Sequence, residues 1–155
     1  MTRIYLAARY FRLDELNGYA EQLRAMGFTV DARWLKGAHR FSDDALSVEA
    51  ATDQISLVGL RFAQDDYEDV RDADWVLCFT EKVRSGHSRG GRHVEMGLAL
   101  AWRKRVVVIG PRENVFCCLP QVEHYIDFKE FTDLEELPGL VQFSASIDAP
   151  SPVGT

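Results

Sequence analysis

The chain has 155 residues, 46% hydrophobic and 27% charged, which is typical of one globular domain with a buried core. Its formal net charge of -6 argues against the basic surface of proteins that coat nucleic acids. The three cysteines show neither a disulfide framework nor a zinc-binding spacing, and no apolar run is long enough to span a membrane.

These totals predict a cytoplasmic protein of a reducing compartment, without a secretory leader in MTRIYLAARYF. Neither a nucleic-acid polymer nor a membrane is expected as a partner. The sequence also predicts no metal site and no organic cofactor. A local basic pocket for a single nucleotide remains compatible with the overall acidic charge.

The N-terminal half alternates strand-like and helix-like runs. Residues 3–7 (RIYLA) predict a buried strand, and residues 13–26 predict a helix closed by Gly27. Residues 28–35 (FTVDARWL) predict a second strand. A polar loop follows, and residues 42–72 predict a long helical region that starts from Ser and Asp caps.

The C-terminal half repeats this alternation. Residues 74–80 (DWVLCFT) and 105–110 (RVVVIG) predict strands, with a helix over VEMGLALAW between them. A short strand near 125–128 and a small helix near 132–140 complete a domain over residues 1–143. The small, polar and proline-bearing segment 144–155 is predicted to be a disordered tail.

Alternating strands and helices predict a single Rossmann-like, flavodoxin-like α/β domain with a mainly parallel five-stranded sheet flanked by helices. Such sheets bind ligands at the carboxyl ends of their strands. Ala8 and Phe11 follow the first strand and Asn114 follows the fourth, so these residues are predicted to contact a substrate. The segments expected around one cleft are 8–11, 81–92 and 111–116.

The loop before the middle helix combines glycines with hydrogen-bond donors. A helix that starts at Gly90 and Gly91 would present free N–H groups to an anion, and Ser88, Arg89 and Arg92 add donors around it. The spacing is neither the dinucleotide fingerprint nor a P-loop. A phosphate-binding or carboxylate-binding turn and a flexible loop without a ligand therefore both remain open.

Glu95 is the one charged residue in VEMGLALAW. At helical spacing it shares a face with Leu98, Ala99 and Trp102. One interpretation is a capping glutamate that reaches back to the backbone. The other is a carboxylate held at a buried helix start that faces the cleft, where it would act as a nucleophile or general base.

Three segments, in this order, resemble the nucleoside 2-deoxyribosyltransferase family and its relatives that hydrolyse 2'-deoxynucleoside 5'-monophosphates. They are IYLAARYF, AQDDYEDVRDADWVLCF and GGRHVEMGLALAWRKRVVVIG. The third carries the family's G-x-x-x-E-x-G-x-A pattern and is the most specific. Together they cover most of residues 1–110.

The resemblance implies roles for individual residues. Glu95 falls on the family's nucleophile, Asp66 on its substrate-contacting aspartate, with Asp65 as the alternative, and Tyr5 on the tyrosine that helps to hold the nucleophile. From the residues alone, the two aspartates also fit a solvated helix face, and Tyr5 fits the core. Arg89 stands where family transferases often have an acidic residue, which favours a phosphorylated substrate.

The function implied is cleavage of the N-glycosidic bond of a 2'-deoxynucleoside or its 5'-monophosphate. The deoxyribosyl group would pass to another base, as in a transferase, or to water, as in a hydrolase, and both remain open. The resemblance also implies a homo-oligomer. The alternative is a non-catalytic nucleotide-binding sensor or interaction module of the same fold.

Overall fold

A computed structural model describes residues 1–37, 57–82 and 90–135. Its strands are Ile4–Ala7 (β1), Trp75–Phe79 (β2), Arg105–Ile109 (β3) and Val122–Tyr125 (β4). Its helices are Leu13–Ala25 (α1), Leu57–Asp72 (α2), Gly91–Ala101 (α3) and Phe128–Glu135 (α4). In these parts of the chain, no helix combines the length and apolar character needed to cross a bilayer.

The four strands form one parallel sheet in the order β1, β2, β3, β4. Tyr5 lies opposite Val76, which in turn lies opposite Val106, so these three side chains share one face of the sheet. The predicted α/β fold with a parallel sheet flanked by helices is confirmed. The described sheet has four strands rather than the predicted five.

The predicted strand over residues 28–35 is wrong. Only Thr29 pairs with the sheet, through a single parallel bridge to Arg3 on the outer side of β1. Its carbonyl accepts from the Ile4 N–H at 2.8 Å.

A 3-10 helix, Arg33–Lys36, replaces the rest of that strand. Its Arg33 backbone N–H donates to Asp69 of α2 at 2.7 Å, and the Trp34 indole N–H donates to the Leu6 carbonyl at 2.9 Å. These two contacts hold the turn against α2 and β1, so tertiary contacts override the β-propensity of FTVDARWL.

The bounds of β1, α1, β2 and β3 differ from the predicted ranges by at most one residue, and the larger differences lie near the C-terminus. Helix α2 ends at Asp72, as predicted, whereas residues 42–56 of the predicted helical region lie outside the described residues. Strand β4 begins three residues before the predicted 125–128, and α4 begins at Phe128 because Phe128 and Phe131 are buried at helical spacing. The predicted tail, 144–155, also lies outside the described residues.

Helices cover both faces of the sheet. On one face, the Tyr19 ring of α1 stacks on Phe79 of β2 and on Phe128 of α4, with centroids 5.4 and 4.1 Å apart. On the other face, α3 contacts β1, β2 and β3, and α2 packs beside it through Tyr67 and Trp102. The second layer, α2 and α3, carries the two carboxylates singled out by the sequence.

Candidate active site

Tyr5 and Glu95 meet between the sheet and α3. The Tyr5 hydroxyl donates to Glu95 Oε1 at 2.7 Å, although the two residues lie 90 positions apart in the chain. Tyr5 is 1% exposed and lies on the face of β1 that α3 covers. Glu95 is the fifth residue of α3, past the third position where a capping glutamate stands, so the structure favours the buried-carboxylate interpretation.

The surroundings of Glu95 raise its pKa well above that of an ordinary glutamate. Burial raises the pKa of Glu95 to about 7, the hydrogen bond from Tyr5 and the charge of Arg92 lower it, and the nearby negative charge of Asp66 raises it. Burial and the charge of Glu95 also raise the pKa of Tyr5, so its hydroxyl remains a proton donor. A buried carboxyl whose pKa is raised to near 7 is characteristic of nucleophiles and general bases.

Asp66 belongs to the same group of side chains. It lies on α2, is half-buried, and has one carboxylate oxygen shielded from solvent. Its charge raises the pKa of both Tyr5 and Glu95. The edge-on contact of Tyr67 with Trp102, 5.2 Å between centroids, fixes α2 against α3. Asp66 is therefore not part of a solvated helix face.

Asp65, the alternative to Asp66, faces a different partner. Its Oδ1 and its backbone carbonyl each accept from the Arg33 guanidinium at 2.8 Å. The same guanidinium binds Glu68 at 3.0 Å and Asp69 at 2.8 Å. The structure thus gives Asp65 a role in holding α2 to the Arg33–Lys36 turn, away from Glu95.

The glycine loop is described only at its end. Ser88 and Arg89 lie outside the described residues. Gly90 caps α3 with φ of 81°, a left-handed conformation that favours glycine, and Gly91 is exposed as the first helical residue. The predicted helix start at these glycines is confirmed.

Arg92 makes a contact that the sequence did not predict. Its guanidinium forms two hydrogen bonds, of 2.6 and 2.9 Å, to the Glu113 carboxylate. The side chains of Arg92 and Glu113 are 6% and 11% exposed. Arg92 was expected at an open anion-binding turn; the structure places it in a buried ion pair instead.

Sequence reasoning missed Glu113 and Glu81. Glu113 Oε1 also accepts from the Glu81 backbone N–H at 2.6 Å, and the Glu81 carboxylate pairs with Arg9 at 2.7 Å. These contacts connect the segments that follow β1, β2 and β3. The available signal was the presence of acidic residues in two segments already expected at the cleft, 81–92 and 111–116.

Three further predicted contacts flank this region. Asn114 Oδ1 accepts from the Phe116 N–H at 2.9 Å and so caps the 3-10 helix Val115–Cys118. Ala8 is half-buried directly after β1. Phe11 is 70% exposed and lies under the Arg9 guanidinium, 4.8 Å from the ring centroid. Phe11 therefore offers an accessible ring beyond the end of β1, whereas Asn114 caps its own turn.

Comparisons with known proteins bear on the fold. No protein-family model matches the chain, and no curated protein matches it. The solved structure of the Clostridium botulinum CMP N-glycosidase BcmB is similar, with a TM-score of 0.51 and 18% sequence identity over 88% of this chain and 100% of that one. The chain has the fold of that N-glycosidase. The resemblance predicted from the sequence is therefore confirmed at the level of the fold.

Proposed function

We propose that this protein cleaves the N-glycosidic bond of a nucleoside or a nucleoside 5'-monophosphate, with Glu95 as the nucleophile. The observation that supports this most directly is the Tyr5–Glu95 hydrogen bond beside Asp66. Two interacting carboxylates and a protonated phenol suit this reaction, whose transition state carries positive charge on the sugar. The fold of a CMP N-glycosidase is consistent with it.

In the first step, a Glu95 carboxylate oxygen bonds to C1' of the sugar while the bond from C1' to the base nitrogen breaks. The electron pair of that bond goes to the base, which must gain a proton to leave. Asp66 in its acid form supplies that proton, or the base takes it from solvent with Asp66 orienting it. In the second step, water or another base attacks C1' while the bond from C1' to the Glu95 oxygen breaks, which releases the Glu95 carboxylate. The proton lost by the attacking group returns to the Asp66 carboxylate, or to solvent where solvent supplied the first proton.

Tyr5 is assigned to the orientation of the nucleophile. Its hydroxyl holds Oε1 at 2.7 Å, so we assign the attack on C1' to Oε2. The donated hydrogen bond also favours the ionised form of Glu95, which is the nucleophilic form. Tyr5 remains neutral throughout, because burial and the charge of Glu95 raise its own pKa.

A 5'-monophosphate is the favoured substrate class. Arg89 precedes Glu95 by six residues, and α3 begins at Gly91 after its cap Gly90, where backbone N–H groups suit phosphate. Arg92 is engaged by Glu113, so phosphate recognition rests on the helix start and on residues 88–91. The family resemblance implies deoxyribose, whereas the name of the similar glycosidase specifies CMP, so both sugars belong in the test.

Water is the favoured acceptor, since the protein of similar fold is a glycosidase. Transfer to a second base is the competing outcome that the family resemblance implies. The two are separated by adding a second free base and measuring whether it is incorporated. The predicted homo-oligomer remains a proposal, and light scattering of the purified protein measures it.

The test measures, by chromatography, the release of free base from ribonucleosides, deoxyribonucleosides and their 5'-monophosphates. Wild type is compared with Glu95→Gln and with Glu21→Gln, an exposed glutamate on α1 at the other face of the sheet. We expect release by wild type and Glu21→Gln, and none by Glu95→Gln. Folded wild type that releases no base from any substrate, yet binds a nucleotide, would instead support the non-catalytic binding module.

A further inference from the structure

Glu113 joins three segments at the carboxyl end of the sheet. Its carboxylate accepts two hydrogen bonds from Arg92 of α3 and one from the backbone N–H of Glu81, directly beyond β2. Glu113 itself follows β3, and Glu81 continues the connection to Arg9 beyond β1. We call these four residues the Glu113 junction.

The ion pair between Arg92 and Glu113 is the buried part of the junction. The Arg92 side chain is 6% exposed, and its Nε has no hydrogen-bond partner among the described residues. Within that part of the chain, both hydrogen bonds of the guanidinium go to Glu113. Removing one partner of a buried pair leaves an uncompensated charge, so Glu113 determines the environment of this cation.

Arg92 connects the junction to the proposed nucleophile. It precedes Glu95 by three residues on α3, which places both on neighbouring positions of one helix face. Its positive charge acts directly on the Glu95 carboxylate. Any change in the position of Arg92, or in the net charge of Arg92 and its partner, is therefore expected to change the pKa of Glu95.

Other described groups also face Glu95, from each element packed against it. Tyr5 of β1 donates to it, Asp66 of α2 repels it, and the buried thiol of Cys78 in β2 interacts with it. Strand β3 contributes Val106 and Val108 to the same face, and these do not titrate. Among these groups Arg92 is the one cation.

We propose that Glu113 is a positioning residue for the reaction at Glu95: it fixes Arg92, the first turn of α3 and the net charge beside the nucleophile. This inference rests on the proposed function for its catalytic meaning. Its electrostatic consequence is measurable without turnover. Through Arg92, Glu113 thereby influences the pH at which the nucleophile ionises.

The sign of the effect follows from the charges. Glu113→Gln preserves the shape of the side chain but removes its negative charge, so the Arg92 cation is no longer balanced. Glu95 should then ionise at lower pH, with a downward shift of about half a pH unit or more. A role confined to packing would change stability without moving this titration.

The first experiment is a carbon-detected NMR titration of the Glu95 carboxyl in glutamate-labelled protein. The matched control is Glu123→Gln, because Glu123 also binds an arginine through two bonds, to Arg105 at 2.6 and 2.8 Å, at the opposite end of the sheet. We expect Glu95 to titrate at lower pH in Glu113→Gln and as in wild type in Glu123→Gln. Folded Glu113→Gln with an unchanged Glu95 titration overturns the proposal.

A second variant covers the case in which Glu113→Gln does not fold. Arg92→Met with Glu113→Gln removes both buried charges and leaves no unpaired ion. The nearer cation is then gone, so Glu95 should titrate above its wild-type pH. An unchanged titration in this folded double variant also overturns the proposal.

Base release provides the functional measurement. In Glu113→Gln the acid limb of kcat/KM should move to lower pH together with the NMR titration, while kcat falls because α3 loses its anchor. An acid limb that stays in place while the NMR titration moves would overturn the assignment to the reaction. Wild type without base release would defeat the proposed function, and the NMR result would still decide whether Glu113 controls Glu95.

Discussion

The Tyr5 hydroxyl donates to Glu95 Oε1 across 2.7 Å and so joins the first strand of the sheet to helix α3, although the two residues lie 90 positions apart in the chain. This hydrogen bond opposes the effect of burial on Glu95, because it favours the charged carboxylate. It thus links a core tyrosine to the reactivity of the proposed nucleophile.

Replacing Tyr5 with Phe should raise the pKa of Glu95 further, because the donor that stabilises the carboxylate is lost. We expect kcat/KM at pH 7 to fall about tenfold to a hundredfold, the value of a hydrogen bond to a charged group. The acid limb of the pH profile should move upward. Tyr19→Phe is the control, since it removes a hydroxyl whose partner is the exposed Glu15; equal losses in both variants would contradict this role of Tyr5.

Glu95→Gln should stabilise the fold at high pH and not at low pH. The pKa of Glu95 is raised from an ordinary 4.5 to about 7 in the folded protein, so ionisation costs stability as pH rises from 4.5 to 7. The neutral amide avoids this cost, with a gain on the order of 3 kcal/mol above pH 7 and none below pH 4.5.

Thermal unfolding of Glu95→Gln and wild type at pH 4, 6 and 8 measures this difference. Glu21→Gln, on the solvent side of α1, should show no comparable pH dependence. A Glu95→Gln difference that stays constant across this range would show that Glu95 is not held at a raised pKa.

Asp66→Asn and Asp65→Asn should behave differently. Asp66→Asn removes a negative charge that raises the pKa of Glu95, so the acid limb of base release should shift to lower pH. Its kcat should also fall at least tenfold, as expected for loss of an acid–base group. Asp65→Asn weakens one contact of Arg33 and should change kcat little. Side-by-side pH profiles measure both effects, and the reverse result would assign the substrate role to Asp65.

Arg33→Met should destabilise the fold by about 1 to 2 kcal/mol, discounted for its partial exposure. The guanidinium makes four hydrogen bonds to Asp65, Glu68 and Asp69, and the variant leaves their charges unbalanced. Urea unfolding measures the change. Arg71→Met removes an exposed arginine paired with its neighbour Asp72, so its midpoint should stay close to wild type.

Gly110→Ala should destabilise by about 2 kcal/mol or more, because the residue has φ of +112° and an added Cβ would lie 2.7 Å from Thr80 Oγ1. Thr80 is buried at the end of β2 and has little room to move. Gly18→Ala on α1 is the matched control: nothing lies within 4 Å of its added Cβ, so it should gain about 0.5 to 1 kcal/mol. Thermal unfolding of both variants tests the contrast.

Most elements of the fold could be predicted from local sequence patterns. The apolar runs at β1, β2 and β3 and the glycine start of α3 appear where the sequence indicates them, because burial and backbone conformation act within a few residues. The Thr29 region departs from its pattern because the following contacts, from Arg33 to α2 and from Trp34 to β1, are tertiary. Sequence patterns within a few residues cannot predict such contacts between distant parts of the chain.

The candidate site also has one part that the sequence predicted and one part that it did not. The family pattern singled out Tyr5, Asp66 and Glu95, and the structure places them together. The partnership of Arg92 with Glu113 depends on how the start of α3 approaches the segment that follows β3, and the two residues lie 21 positions apart in the chain. An arginine beside glycines has the same local appearance whether its partner is a phosphate or a carboxylate, so the sequence alone did not distinguish them.

The Trp34 indole has a consequence beyond the site. Its N–H occupies the Leu6 carbonyl on the side of β1 where Thr29 forms the bridge. The bulk of the indole bonded to this carbonyl lies where an incoming strand would have to pair. The tryptophan therefore shields this margin of the sheet. Because Trp34 is only 5% exposed, its replacement by Ala should lower the stability of the fold as well as uncover the margin to a further chain.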